Sequence, residues 1–165
     1  PAEVAHSEVS LSNDIKITGL PAYTVESILR GVVSCRLNML GSEYPYSIPM
    51  SVMAYSNGHI IMHSNKKGHK MDCLRSNQKV TVDYQWFWNN SQWIDLHLTG
   101  RIEIVEKPED IGKILGGGNP MMFSKMAERM ALLVFIPEKV ASRQVDAPAS
   151  WYSQMPGVKN LESVK

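Results

Sequence analysis

The chain has 165 residues, a formal net charge of +1, 44% hydrophobic residues and 20% charged residues, enough for one domain with its own core. So even a charge balance argues against nucleic-acid or membrane-surface partners, and no apolar run approaches the roughly 20 residues that span a bilayer. Cys35 and Cys73, the two cysteines, stand in no CxxC or zinc spacing; they fit a reducing, cytoplasmic setting better than a disulfide scaffold.

In chain order, residues Pro1 to Thr18 are polar and weakly patterned and read as an N-terminal arm. Thr24 is placed to N-cap a short helix carrying Val25, Ile28 and Leu29 and ending near Gly31. A run of strands follows. Val33, Cys35, Leu37 and Met39 alternate with polar residues over Val33–Leu40, the pattern of a half-buried strand. Tyr46–Tyr55 puts Tyr46, Ile48, Met50, Val52 and Ala54 on one face. Asn57-Gly58 is a strong hairpin signal, and His59–Ser64 returns as the third strand.

Met71 and Leu74 at i and i+3 predict a short helix from about Gly68 to Ser76, ended by Asn77 in a left-handed conformation. Val80–Trp86 alternates again, and Asn89-Asn90-Ser91 reads as a turn. Trp93–Val105 is long and regular, with Ile94, Leu96, Leu98, Ile102 and Ile104 facing one way and Gly100 at a bulge or bend. Pro108 opens a helix with Ile111, Ile114 and Leu115 as its stripe. Gly116 to Gly118 stop it. Asn119-Pro120 caps another helix to about Met130, carrying Met122, Met126 and Met130. Leu132–Ile136 and Val140–Gln144 read as two late strands, and residues 147–165 as a tail with one aromatic knot, Trp151-Tyr152. Six or so antiparallel strands with peripheral helices predict a closed or partly closed β-barrel, mainly β in an α+β context. A small barrel is filled by side chains, so a ligand would sit at a rim or a subunit interface.

The stretch HSNKKGHK, His63 to Lys70, is the chief candidate site. Lys66, Lys67, His69 and Lys70 crowd the start of a helix, where the dipole disfavours cations by roughly 0.3–1 kcal/mol each. An anion held by the free helix amides removes that conflict; the alternative is a solvated charge run. The stretch lacks the GxxxxGK[ST] form of a triphosphate-binding loop, so a single phosphate is the inference. His63 and Ser64 end a strand beside it, where a ring carried by that phosphate could lie. No serine lies in a GxSxG context, Cys35 sits on the apolar side of its strand, and no third ligand joins His63 and His69 to make a metal site. Trp86-Phe87-Trp88 and Trp93 flank a turn and suit either a ring-binding surface or core packing.

The order RLNML, PYSIPMSVMAY, Asn-Gly turn and IIMHSNKKGHKMDCLRSNQKVTVDY resembles the flavin-binding split barrels, which include pyridoxamine 5'-phosphate oxidase and the nitroimidazole-resistance proteins. The nitroimidazole-resistance branch is the nearer, through the segment H-S-x-x-x-G-H-K-x-D-x-L-R-x-N. The resemblance covers about Val33 to Val105. It implies a six-stranded antiparallel split β-barrel with peripheral helices over residues 19–146, binding FMN at a homodimer interface. Carried over by position, Lys70 and His69 hold the FMN phosphate, with Gly68 and Lys67 beside them. His63, Ser64 and Asn65 lie along the ribityl chain or ring, while Pro49, Met50, Ser51 and Val52 present strand backbone to the isoalloxazine. A tryptophan such as Trp86, Trp88 or Trp151 from the other subunit walls the pocket. The implied activity is a flavin-dependent oxidoreductase passing electrons from a reduced nicotinamide or other donor to a small acceptor such as a nitroaromatic or quinone. Alternatives are a haem-binding split barrel with His63 or His69 as axial ligand, another phosphorylated cofactor, and a non-enzymatic flavin carrier or redox sensor. His69 replaces an arginine of the family pattern, and the tail ASWYSQMPGVKN lacks the arginine motif of the vitamin B6 oxidases, which argues against pyridoxamine phosphate as substrate.

Overall fold

A computed structural model describes residues 15–89 and 91–146. The elements in chain order are β1 (Lys16–Thr18), α1 (Ala22–Gly31), β2 (Ser34–Leu40), β3 (Pro45–Ser56), β4 (His59–Asn65), α2 (His69–Ser76), β5 (Lys79–Asn89), β6 (Gln92–Val105), α3 (Pro108–Ile114), α4 (Pro120–Arg129) and β7 (Met130–Asp146). The sheet runs β1-β7-β4-β3-β2-β5-β6, and a further β6–β7 pairing closes six antiparallel strands into a ring. Closure removes the open edges that a sheet of this length would otherwise expose. The inward face of every strand is apolar: Leu37, Met62, Val82, Leu96, Leu98, Ile102 and Phe135 are each buried, and each such side chain contributes roughly 1.5–3 kcal/mol. A satellite cluster of Ile61, Ile111, Phe123, Ala127 and Leu132 fixes α3 and α4 against the outside of β4 and β7.

Several local expectations need correction. The two late strands are one, β7, because Pro137 lies where its missing N–H costs nothing. β4 pairs with residues 130–135 of β7 and β1 with 139–141, so one edge of Pro137 faces no strand. Its other edge meets Gly100 at a register shift, where an added Cβ on Gly100 would lie 2.1 Å from the Ile136 carbonyl oxygen. The bulge expected at Gly100 is therefore present, and it absorbs the proline. Residues 16–18, read as part of the arm, form a seventh strand running parallel to β7. Pro21, not Thr24, is at the N-cap of α1, and Val33 is 75% exposed rather than in the core. Asn77 is extended, at φ −149, because the chain passes directly into β5 with no reversal to make. Met122 is exposed, and α4 buries Phe123 and Ala127 instead. Asn90 of the expected turn and the Trp151-Tyr152 knot lie outside the described residues. The Asn-Gly turn is as expected: Asn57 and Gly58 both have positive φ, 53 and 76, the requirement of a two-residue primed turn.

Candidate functional site

The barrel is open along one seam. β3 and β4 leave the Asn57-Gly58 turn paired, from Ser56↔His59 to Val52↔Met62, with a bulge at Met53. Beyond that point, among the described residues, no ladder pair joins them. β3 continues as Ser51, Met50 and Pro49, paired only to Ser34, Cys35 and Arg36 of β2. β4 continues as His63, Ser64 and Asn65, paired only to Leu132, Ala131 and Met130 of β7. Past this point each strand keeps one backbone edge outside any ladder, and unpaired edges offer donors and acceptors to a ligand.

The loop from Asn65 to Gly68 leads from this seam into α2. It is tied down at Lys66, whose amide donates to the Arg129 carbonyl at 3.3 Å and whose carbonyl accepts from Arg75 Nη1 at 2.9 Å. Arg75 is held in turn by Glu106 at 3.0 Å. Gly68 has φ 106 and ψ 168, a backbone region that is glycine's almost alone. A Cβ there would meet no atom within 4 Å, so the backbone conformation requires glycine and the space in front of it is open. The Gly68 carbonyl accepts the Met71 and Asp72 amides at 2.9 and 3.1 Å. The His69 and Lys70 amides meet no acceptor among the described residues and point out of the helix start, as first-turn amides do.

The electrostatics favour an anion. Lys70 is half-buried, and its Nζ lies 3.5 Å from the Met50 sulfur. Burial pushes its ammonium below its ordinary pKa, the usual effect of desolvation on a cation. No carboxylate is paired with Lys66, Lys67 or Lys70 among the described residues. His69 stacks edge-on against Tyr46, with centroids 4.7 Å apart, and its Nε2 lies 3.6 Å from Cys73 Sγ. His63 Nδ1 is buried without a hydrogen-bond partner. An orphaned buried nitrogen costs about 1–3 kcal/mol, which a ligand in the seam would recover.

The structure therefore brings Pro49, Met50, Ser51, Val52, His63, Asn65, Lys67, Gly68, His69 and Lys70 to one seam. Ser64 is at the same place but buried, its hydroxyl donating to the Asn65 carbonyl at 3.0 Å; strand alternation turns it inward while His63 turns out. Trp86 is elsewhere. It lies 50% exposed in a separate pocket of about 270 Å³ with Ser27, Ile28, Trp88 and Ile94. Sequence reasoning missed Tyr46, Arg75 and Glu106. Arg75 lies six residues beyond the start of α2, and only tertiary contact shows that it fastens the loop. Among the described residues no group of three or more histidine, cysteine or acidic side chains is placed to hold a metal, and no helix is long and apolar enough to cross a membrane.

A six-stranded ring that parts along one seam, with a basic helix start beneath the parting, defines a split-barrel protein. A family profile described as pyridoxamine 5'-phosphate oxidase matches residues 21–133, and the chain belongs to that family. Among curated proteins none matches. Among solved structures the chain is similar to an FAD-binding protein from Mesorhizobium loti, at 20% identity and TM-score 0.64, over 77% of this chain and 96% of that one. It is also similar to a candidate 5-nitroimidazole antibiotic resistance protein from Bacteroides thetaiotaomicron, at 17% identity and TM-score 0.60, over 74% and 82%. A third is the FAD binding protein of Mycobacterium smegmatis, at 12% identity and TM-score 0.59, over 77% and 98%. At these identities the likeness is one of fold.

Proposed function

We propose that the seam binds FMN and that the protein is a homodimeric flavin-dependent oxidoreductase, taking electrons from a reduced nicotinamide or similar donor and passing them to a small acceptor such as a nitroaromatic or quinone. The observation that carries this reading is the half-buried Lys70 ammonium, which has no acidic partner among the described residues, beside two helix amides that meet no acceptor among them and an orphaned His63 nitrogen. A phosphate dianion answers the first two and a polar ring edge the third. One anion corner suits a mononucleotide. Family membership and the likeness in fold to FAD-binding proteins support the same reading.

FMN bound there would supply two-electron redox chemistry. The chain's own residues do the rest. Lys70 and the His69 and Lys70 amides hold the phosphate. The open edge of Pro49, Met50 and Ser51, with Val52 at its end, gives the ring a fixed backbone surface. His63 Nδ1 offers a hydrogen bond whose direction is set by the ring tautomer. The Arg75–Glu106 tie keeps the loop in place before any ligand arrives. Exposed Val33 just before β2, Leu40 at its end, Tyr44 in the following turn and Met53 on β3 are the apolar surface that a second copy would cover.

The test is direct. Protein purified without added cofactor, or titrated with FMN after stripping, should carry the twin absorption bands of a bound flavin and sediment as a dimer at micromolar concentration. With a reduced nicotinamide it should turn over a nitroaromatic or quinone. A protein that takes up no FMN at micromolar concentration refutes the cofactor assignment. One that binds FMN but turns over no donor–acceptor pair is a carrier. A single intense Soret band would mean haem.

A further inference from the structure

The β5–β6 hairpin overhangs the barrel. β2 accompanies β5 only as far as Arg36↔Asp83, whereas β5 continues to Asn89 and β6 begins at Gln92. On its other side β6 is accompanied by β7 to its first residue, through Ile94↔Gln144 and Trp93↔Val145 to Gln92↔Asp146. The row of β5 that starts inside the barrel reads Val80, Val82, Tyr84, Trp86. Val80 and Val82 are buried, Tyr84 is half-buried and Trp86 is exposed. Burial fades along the row because the strand outruns the barrel.

α1 lies against this overhang. Its Ile28 and Gly31, with Trp86, Trp88 and Ile94, line a pocket of about 270 Å³. That is below the roughly 300–1,000 Å³ of small-molecule sites and suits one large side chain. Gly31 helps to keep the pocket open, since a Cβ there would meet no atom within 4 Å. Ser27 adds a hydroxyl to the same wall. Indole rings, an isoleucine pair and one hydroxyl are chemistry for another aromatic ring that carries a polar atom. The exposed Trp86 and Trp88 at its mouth mark the pocket as a surface that something covers.

We infer that the occupant is this chain's own Trp151, from the segment that follows β7. β7 ends at Asp146 opposite the first residue of β6, so the ladder has no further β6 residue to use, and Pro148 lacks the N–H that a ladder needs. Trp151 comes five residues after Asp146, a reach of up to roughly 17 Å. β5 lies two strand spacings from β7, roughly 10 Å. The pocket is therefore within range of Trp151, whose Nε1–H can donate to the Ser27 hydroxyl. A short tether holds the indole at an effective concentration on the order of millimolar, which favours it over a free partner of equal affinity. None of the seam residues lines this pocket, so the inference does not depend on the flavin assignment.

The experiment is fluorine NMR of the full chain labelled with fluorotryptophan. Trp86, Trp88, Trp93 and Trp151 are its four tryptophans and give four lines. The Trp151 line should stand away from its position in the urea-unfolded chain. Trp151→Ala should shift the Trp86 and Trp88 lines and leave in place that of Trp93, which packs against Phe87 at 5.9 Å. Gly31→Leu fills the pocket without backbone strain, since Gly31 has no positive φ, and should return the Trp151 line to its unfolded position; an unmoved Trp93 line shows that the variant folds. Ser27→Cys and Tyr152→Cys in the same chain should close, on oxidation, a disulfide that leaves the protein at the mass of one chain on a non-reducing gel. A Trp151 line at its unfolded position in the parent overturns the inference. So does a displaced line that Gly31→Leu leaves in place. So does a failure to cross-link, or a cross-linked band of two chains, the result expected if a second copy supplies the indole.

Discussion

Lys70→Ala should move two measurable quantities in opposite directions. Lys70 is the second residue of α2 and sits in the positive end of the helix dipole, with its ammonium further disfavoured by burial. Removing an N-terminal cation relieves roughly 0.3–1 kcal/mol, and alanine is at least as good a helix former. Set against this is the packing of the lysine stem against Met50, a partial loss because the side chain is only half-buried. The ligand-free variant should therefore match the parent's stability within about 1 kcal/mol or exceed it. FMN affinity should fall by the value of one charge-assisted bond to a dianion, about 1.5–3 kcal/mol or roughly 10- to 150-fold in Kd. Urea denaturation of the stripped protein gives the first quantity and quenching of FMN fluorescence the second. If the stripped variant loses more than about 2 kcal/mol while its FMN affinity is unchanged, Lys70 is a structural lysine and the phosphate site lies elsewhere.

Three further substitutions follow from the geometry. Gly68→Ala forces a side chain into φ 106, ψ 168 and should cost about 1–3 kcal/mol in chemical denaturation; no steric term adds to it, since the Cβ meets open space, and an unchanged midpoint would show that the turn relaxes freely. Gly100→Ala drives a Cβ to 2.1 Å from the Ile136 carbonyl and 3.0 Å from the Phe135 ring, so it should destabilise by about 1–3 kcal/mol or more through overpacking, with loss of amide protection around residues 135–139; a parent-like melting temperature would contradict the bulge. Burial, followed by the Asp83 charge, pushes the Cys35 thiol up from 9.0 to about 11. A raised folded-state pKa contributes stability that is intact below pH 9 and is lost as pH rises towards 11, on the order of 3 kcal/mol. Cys35→Ser should flatten the alkaline limb of stability against pH relative to the parent, and an identical limb in the two proteins would rule out the thiol as its source.

How much of this was legible in the chain differs from element to element. The Asn57-Gly58 hairpin was readable because its turn chemistry is local: two adjacent residues supply the positive φ that the turn needs. The long strand with a bulge at Gly100 was readable from alternation interrupted by glycine. β7 was misread as two strands because Pro137 breaks a strand in most contexts. Whether it does so here depends on which edges of that residue are paired, and that is a property of the assembled sheet. Asn77 was misread for a similar reason, since the path of the following strand, not the residue's tolerance of left-handed backbone, set its conformation.

By itself the sequence determined the strand alternation, the Asn-Gly turn and the crowding of cations at a helix start, because each follows from neighbours within a few residues of one another. Only the tertiary structure decided that β3 and β4 part beyond Val52 and Met62, so that Pro49–Ser51 and His63–Asn65 each keep one backbone edge outside any ladder. It also decided that Ile28 and Trp86, 58 positions apart in the chain, line one pocket. Closing a barrel fixes which strands meet and where the seam falls, and no local pattern encodes a contact whose two halves are brought together only by the ring of hydrogen bonds between distant strands.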